Sequence, residues 1–221
     1  MKKLCLYMCC ILFQYSCVNA QTSNDDNAFA ALPAPKSGEK VATFAGGCFW
    51  SLSEGLSELN GVNKVVAGYA GGTTRNPTYQ DVCSKTTGHA ESVQVYYNPA
   101  IISYASLAEA FFYAHDPTQL DGQGADLGPD YRSVAFYRSP EEKAILEQVI
   151  AKVNKSHHYQ DPIVTSVIPY KILYPAENYH QGYYRLHGDN PYIEGVSKPK
   201  VLKLRKAMND KLKPEFQNNK S

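Results

Sequence analysis

The chain has 221 residues, with Lys+Arg at 22 against Asp+Glu at 21, 43% hydrophobic residues and 12% aromatic ones. This near-neutral balance excludes the strongly basic class that binds nucleic acid or anionic membranes through net charge, and the length suffices for one domain with a full core. Six cysteines, four of them before residue 20, do not make a disulfide scaffold.

Residues 1–20 read as an export signal. Lys2-Lys3 is a short cationic start, LCLYMCCILF is an apolar run, and Val18-Asn19-Ala20 is a small-residue cleavage site. The run is shorter than the ~20 residues of a membrane span. No span is therefore expected, and an exported chain, periplasmic or secreted, is. Lipidation at Cys17 is the second reading, because Gln14-Tyr15-Ser16 matches a lipobox poorly. Cleavage removes two lysines and no acids, leaving 20 Lys+Arg against 21 Asp+Glu, a charge of about −1. It also leaves only Cys48 and Cys83. These could pair, but the pattern fits a lone reactive thiol at least as well.

Residues 21–39 are polar with scattered Ala and Pro and read as a flexible linker. KVATFAGG is then a buried strand running into glycines, CFWSLSEGLSEL the helix after it, and VNKVVAGYAGG a second strand. ESVQVYYNP puts Val93, Val95 and Tyr97 on one face of a strand ended by Asn-Pro. Ser103 caps a helix over SYASLAEAFFYAH, and YRSVAFYRS is another strand. Ser139, Pro140 and Glu142 predict a capping box opening a helix with Ile145, Val149 and Val153 in the core. IVTSVIPYKILYPA is extended, and AENYHQGYYRLHG is a last short helix. The domain is expected over residues 40–205, with a basic tail over 206–221; KPKVLKLRKAMNDKLK reads as a solvated helix face. Mixed strands and helices over this length predict an α/β or α+β sandwich.

Three features carry chemistry. Cys48 stands at a helix start after Gly46-Gly47, where free N–H groups and the dipole lower a thiol pKa and glycines leave the sulfur accessible. Phe49 and Trp50 would wall it; equally, the cysteine could be a small core residue. Glu91, in GHAES at a loop-to-strand start, has small neighbours that would let it point into a cleft and act as an acid. Among seventeen tyrosines, Tyr79 and Tyr131 lie in loop segments rather than at core periodicity. Their hydroxyls can hold an oxygen without ionising. Asp126 could orient such a donor or be an ordinary turn residue.

GCFW at 47–50, GYAGG at 68–72, NPTYQDVC at 76–83, TGHAE at 87–91, HDPT at 115–118, YRS at 131–133 and PAENYHQ at 175–181 follow in one order. Together they resemble the A-type peptide methionine sulfoxide reductases from about Lys40 to about Arg205. The resemblance implies a two-layer sandwich with a ferredoxin-like mixed sheet and long coil segments. It makes Cys48 the nucleophile and Glu91 the acid. It places Phe49 and Trp50 around the substrate's S-methyl group, Tyr79 and Tyr131 on the sulfoxide oxygen, and Asp126 and Tyr183 in the pocket lining. It also implies reduction of the S epimer through a Cys48 sulfenic acid, with no bound cofactor or metal. An outside thiol, whether thioredoxin-like, glutaredoxin-like or small, would complete the cycle. The expected partners are oxidised proteins or peptides and that reductant, and a monomer is expected.

The chain departs from the family in having no cysteine after Cys83. That removes the usual C-terminal resolving thiol. Either Cys83 resolves or an external thiol acts directly, and the second is favoured. Two rival readings are a cysteine hydrolase with His89, His115 or His180 as base, and a binding module in which Cys48 is inert.

Overall fold

The computed structural model describes residues 25–217. The expected signal, with Cys17, lies outside these residues. In chain order the elements are β1 (Lys40–Ala45), α1 (Phe49–Ser57), β2 (Val62–Ala70), α2 (Tyr79–Cys83), β3 (Ala90–Tyr97), α3 (Tyr104–Ala114), β4 (Gly122–Gln123), β5 (Asp126–Leu127), β6 (Val134–Tyr137), α4 (Pro140–Lys155), β7 (Ser166–Pro169), β8 (Leu173–Pro175), α5 (Tyr183–Leu186) and α6 (Lys198–Ala207).

Six strands form one sheet in the order β7-β6-β1-β3-β2-β8, antiparallel throughout except for β6 and β7. Its central path, β1-α1-β2-β3-α3-β6 with strand order β6-β1-β3-β2, is the ferredoxin-like arrangement, so the expected α/β sandwich is the observed one. Alternation along the strands sends Phe44, Tyr69, Val93, Val95 and Tyr97 to one face. There they pack with Leu52 and Leu56 of α1, Leu107 and Phe111 of α3, and Leu146 of α4. A smaller cluster, including Ala45, Ala70, Ala90 and Phe136, lies on the opposite face.

Some local expectations change. Ser139 does accept from the Glu142 N–H at 3.2 Å, but the Glu142 carboxylate reaches back one residue further, to the Arg138 N–H at 2.7 Å. Ile145 is only half-buried, and Leu146 takes the core position with Val149 and Val153. The last short helix is broken: a 3-10 turn over Asn178–His180 is separated from α5 by Gly182 at φ +68°. Helix α2 was not expected, although its N-terminus carries a reciprocal box between Thr78 and Asp81.

Both flanks of the expected domain are tied down. Backbone hydrogen bonds join Ala30 N–H to Ala176 C=O, Asn178 N–H to Ala28 C=O and Tyr179 N–H to Asp26 C=O. This part of the expected linker is thus a strap along residues 176–179. At the other end Leu212 is buried, and Lys213 N–H donates to Glu58 C=O at 2.8 Å. The basic helix α6 is not simply solvated: Val201 and Leu204 are in the core, and Arg205 forks onto buried Glu58. Among the described residues no helix is long and apolar enough to cross a membrane.

Candidate active site

The turn into α1 requires glycine at residue 47. Its φ is +76°, and a Cβ there would stand 2.7 Å from Gln123 Cγ. The Gly47 N–H donates to the Tyr131 carbonyl at 3.1 Å, which joins the cysteine turn to the 3-10 turn over Pro129–Tyr131. Cys48 is the N-cap of α1 and makes no side-chain cap. The first helical N–H, that of Phe49, donates instead to Glu91 Oε2 at 2.9 Å. A carboxyl from the sheet therefore supplies the cap that the cysteine cannot.

Glu91 stands at a strand start, as expected. It is the second residue of β3, buried, in phase with Val93 and Val95 and directly opposite Tyr69 in register. Burial is the main force on its carboxyl and pushes its pKa up to about 8; the Phe49 N–H opposes this, while the charges of Asp130 and Asp126 add to it. At neutral pH Glu91 is thus mostly an acid. The Cys48 thiol is raised as well, by burial first and by Glu91 next, against hydrogen bonds from Tyr192 and the Trp50 N–H. Here the helix-terminus expectation of a lowered thiol pKa fails. The sulfur is enclosed, and an acid already occupies the first free amide.

Cys48, Trp50, Tyr79, Glu91 and Tyr131 converge, with Asn190 and Tyr192, on one cavity of about 280 Å³. Burial, then the charge of Glu91, raises the hydroxyl pKa of both Tyr79 and Tyr131. They therefore stand as protonated donors. Phe49 is fully buried beneath, its ring centroid 4.9 Å from that of His180. Tyr183 does not line the cavity; it stacks on the back of Trp50 at 3.9 Å and 11°. Asp126 is likewise behind the lining, its Oδ1 accepting from the Tyr192 hydroxyl at 2.8 Å and its Oδ2 paired with Lys200 at 2.9 Å. Cys83 ends α2, exposed and free, and its sulfur is hydrogen-bonded to Tyr79.

Sequence reasoning missed Tyr192, Asn190 and Glu177 as site builders, and named His180 only as a candidate base. The criterion that selected Tyr79, a tyrosine in a loop segment off core periodicity, also fits Tyr192 in Asn190-Pro191-Tyr192. Glu177 is buried, accepting from the Tyr79 N–H at 2.9 Å and the Tyr69 hydroxyl at 3.0 Å, and so anchors α2 to β2. The Trp50 indole N–H donates to His180 Nδ1 at 3.1 Å.

No imidazole is bonded to Cys48. His180 takes the Trp50 proton, and burial lowers its pKa to about 4. The ring nitrogens of His115 bond Phe111 C=O and Ser133 Oγ, and those of His89 bond Thr74 C=O and the Gly72 N–H. The hydrolase reading therefore lacks its base. Among the described residues, no cluster of three His, Cys, Asp or Glu is placed to hold a metal ion.

Comparison with known proteins places this arrangement. The family model for peptide methionine sulfoxide reductase matches residues 40–212. The chain belongs to that family. It is 46% identical to the peptide methionine sulfoxide reductase MsrA of Thermus thermophilus over 176 residues, 80% of this chain and 99% of that one. Against the Rhodopirellula baltica MsrA 1 it is again 46% identical, over 80% of this chain and 91% of the relative. Among solved structures, reduced Mxr1 of Saccharomyces cerevisiae superposes with a TM-score of 0.66 at 30% identity, covering 76% of this chain and 94% of Mxr1. The methionine sulfoxide reductase A of Corynebacterium diphtheriae gives 0.61 at 28%, covering 76% and 91%. The reductase match ends at Leu212, the residue that bridges back to Leu59 at the base of α1.

Proposed function

We propose that this reductase removes oxygen from methionine-S-sulfoxide in proteins or peptides by transferring it to Cys48. The observation that carries the reading is the cavity itself: a buried thiol, a carboxylic acid and two protonated phenols open onto one space. A sulfoxide oxygen leaves sulfur readily only once it is protonated. Tyr79 and Tyr131 hold the oxygen, and Glu91 gives it a proton. The Cys48 sulfur, surrendering its own proton to Glu91, attacks the substrate sulfur. Collapse frees methionine and leaves a sulfenic acid on Cys48. The balance is one oxygen moved from sulfoxide to thiol, with Glu91 reprotonated. Trp50, over buried Phe49 and backed by Tyr183, walls the cavity as a flat apolar surface for the S-methyl group.

External thiol then returns Cys48 to its reduced form in two steps. The first displaces the sulfenic hydroxyl as water to leave a mixed disulfide, and a second thiol releases Cys48 with formation of the outside disulfide. The chain has no cysteine after Cys83 to take the first step. Export, with cleavage after Ala20, belongs to the same proposal. The test is one turnover without reductant. Reduced protein is given a peptide carrying methionine-S-sulfoxide, and its intact mass and the released methionine are recorded. One methionine per chain and a mass gain of one oxygen are expected. A loss of two hydrogens would give resolution to Cys83 instead, and no methionine would end the reductase reading. Cys48→Ser is expected to release none.

A further inference from the structure

Helix α6 continues without a break from the helical turn over Ile193–Ser197, and its first residues carry two lysines and no acid. Lys198 is satisfied on the surface by Glu194, four residues earlier, at 3.0 Å. Lys200 is different. It turns inward, its side chain 18% exposed, and bonds Asp126 Oδ2 at 2.9 Å. The other oxygen of Asp126 takes the Tyr192 hydroxyl at 2.8 Å, and Tyr192 lines the cavity with Cys48. Lys200 Nζ also lies 3.7 Å from where a Gly47 Cβ would stand, one residue from the nucleophile. A largely buried cation thus holds the carboxylate that in turn holds a hydroxyl of the cavity wall.

We infer that Lys200 is a positioning residue for the reaction at Cys48, acting through Asp126 on the Tyr192 hydroxyl. The inference rests on the reductase reading above. Tyr192 has one hydroxyl proton to share between Asp126 and the sulfur. Lys200 offsets the charge of Asp126, which loosens the carboxylate's hold on that proton and leaves it free to meet the negative charge that develops on Cys48. Without Lys200, Asp126 keeps the proton and adds an uncompensated negative charge near the sulfur.

Single-turnover kinetics with the same sulfoxide peptide test this on wild type, Lys200→Met, Lys200→Arg, Asp126→Asn and the Lys200→Met/Asp126→Asn pair. Lys200→Met is expected to slow the first turnover at saturating peptide by about tenfold or more, with half-saturation moving less than about twofold. Lys200→Arg restores most of the rate. On the Asp126→Asn background, adding Lys200→Met changes the rate by less than about twofold, because the residue it acts through is already neutral. Iodoacetamide labelling of the Cys48 peptide, followed by mass, slows in parallel in Lys200→Met. Lys200→Gln carries the same expectation if the methionine variant does not fold. A full-rate Lys200→Met, or an undiminished effect on the Asp126→Asn background, overturns the inference. Wild type that labels at Cys48 yet releases no methionine would instead defeat the reductase reading, and the labelling comparison would still judge Lys200.

Discussion

Helix α1 has buried carboxyls at both ends, and they are held in opposite ways. At its N-terminus Glu91 meets only the Phe49 amide and neighbouring polar groups, with no ion pair among the described residues. Toward its C-terminus Glu58, fully buried, is gripped by both nitrogens of the Arg205 fork at 2.7 Å, and Glu54 by Arg185 Nε at 2.8 Å. The residue type and the burial are the same; the partner differs. A guanidinium fork makes the carboxylate an anchor for α6 and α5. A single amide leaves the carboxyl free to hold and release a proton, which is what an acid needs.

The comparison breaks most visibly at Glu91. Glu91→Gln is expected to slow the first turnover by about 10²–10⁴-fold, with peptide half-saturation nearly unchanged; an unaltered rate would remove Glu91 as the acid. The pH dependence follows from the same group. Its folded pKa of about 8 lies above the ordinary carboxyl value, so the native state holds the proton more tightly than the unfolded chain does. Above about 6.5, where the buried His115 and His180 are neutral in both states, stability is therefore expected to fall as pH rises toward about 8, as is the single-turnover rate on passing through about 8. Urea unfolding across that range should show a steeper fall in wild type than in Glu91→Gln.

Next comes Arg205→Ala, which takes the guanidinium fork away from buried Glu58. A loss of about 3–5 kcal/mol in urea unfolding at neutral pH is expected, with the Cys48 chemistry intact in the folded fraction. Arg185→Ala is expected to cost about 1 kcal/mol, because Arg185 is itself half-exposed. The smallest effect belongs to Lys143→Ala on the surface of α4, whose pair with Glu147 spans 3.6 Å in solvent. A change within about 0.5 kcal/mol is expected there, and a larger one would undo the rule that burial sets the value of these pairs.

Much of the N-terminal half was legible because its signals are local. Glycines at 46–47 and 71–72, helical spacing in α1 and α3, and the alternation of Val93, Val95 and Tyr97 all describe neighbours in sequence. The same alternation, carried two residues back, puts Glu91 on the helix-facing side of β3, in phase with Val93 and Val95. The C-terminal half was harder to read. The cations of α6 look like a solvated face because the carboxylates they reach, Glu58 and Asp126, are 147 and 74 residues away. Tyr192 sits where no period announces it, just before a π-helical turn over Ile193–Ser197. The motifs singled out Cys48 and Glu91; the residues that hold them in place depend on contacts that only the folded chain makes.

The two straps bear on the order of folding. Residues 26–30 close onto 176–179, and residues 211–213 close onto 58–60, so each joins parts of the chain far apart in sequence. Contacts of that range form late. During synthesis Cys48 emerges 144 residues ahead of Tyr192, with β1, α1, β2 and β3 able to assemble in between. Throughout that interval the thiol lacks the C-terminal side of its cavity. Docking of the C-terminal segment is what withdraws it, so the Cys48 thiol is least enclosed while the protein is being made.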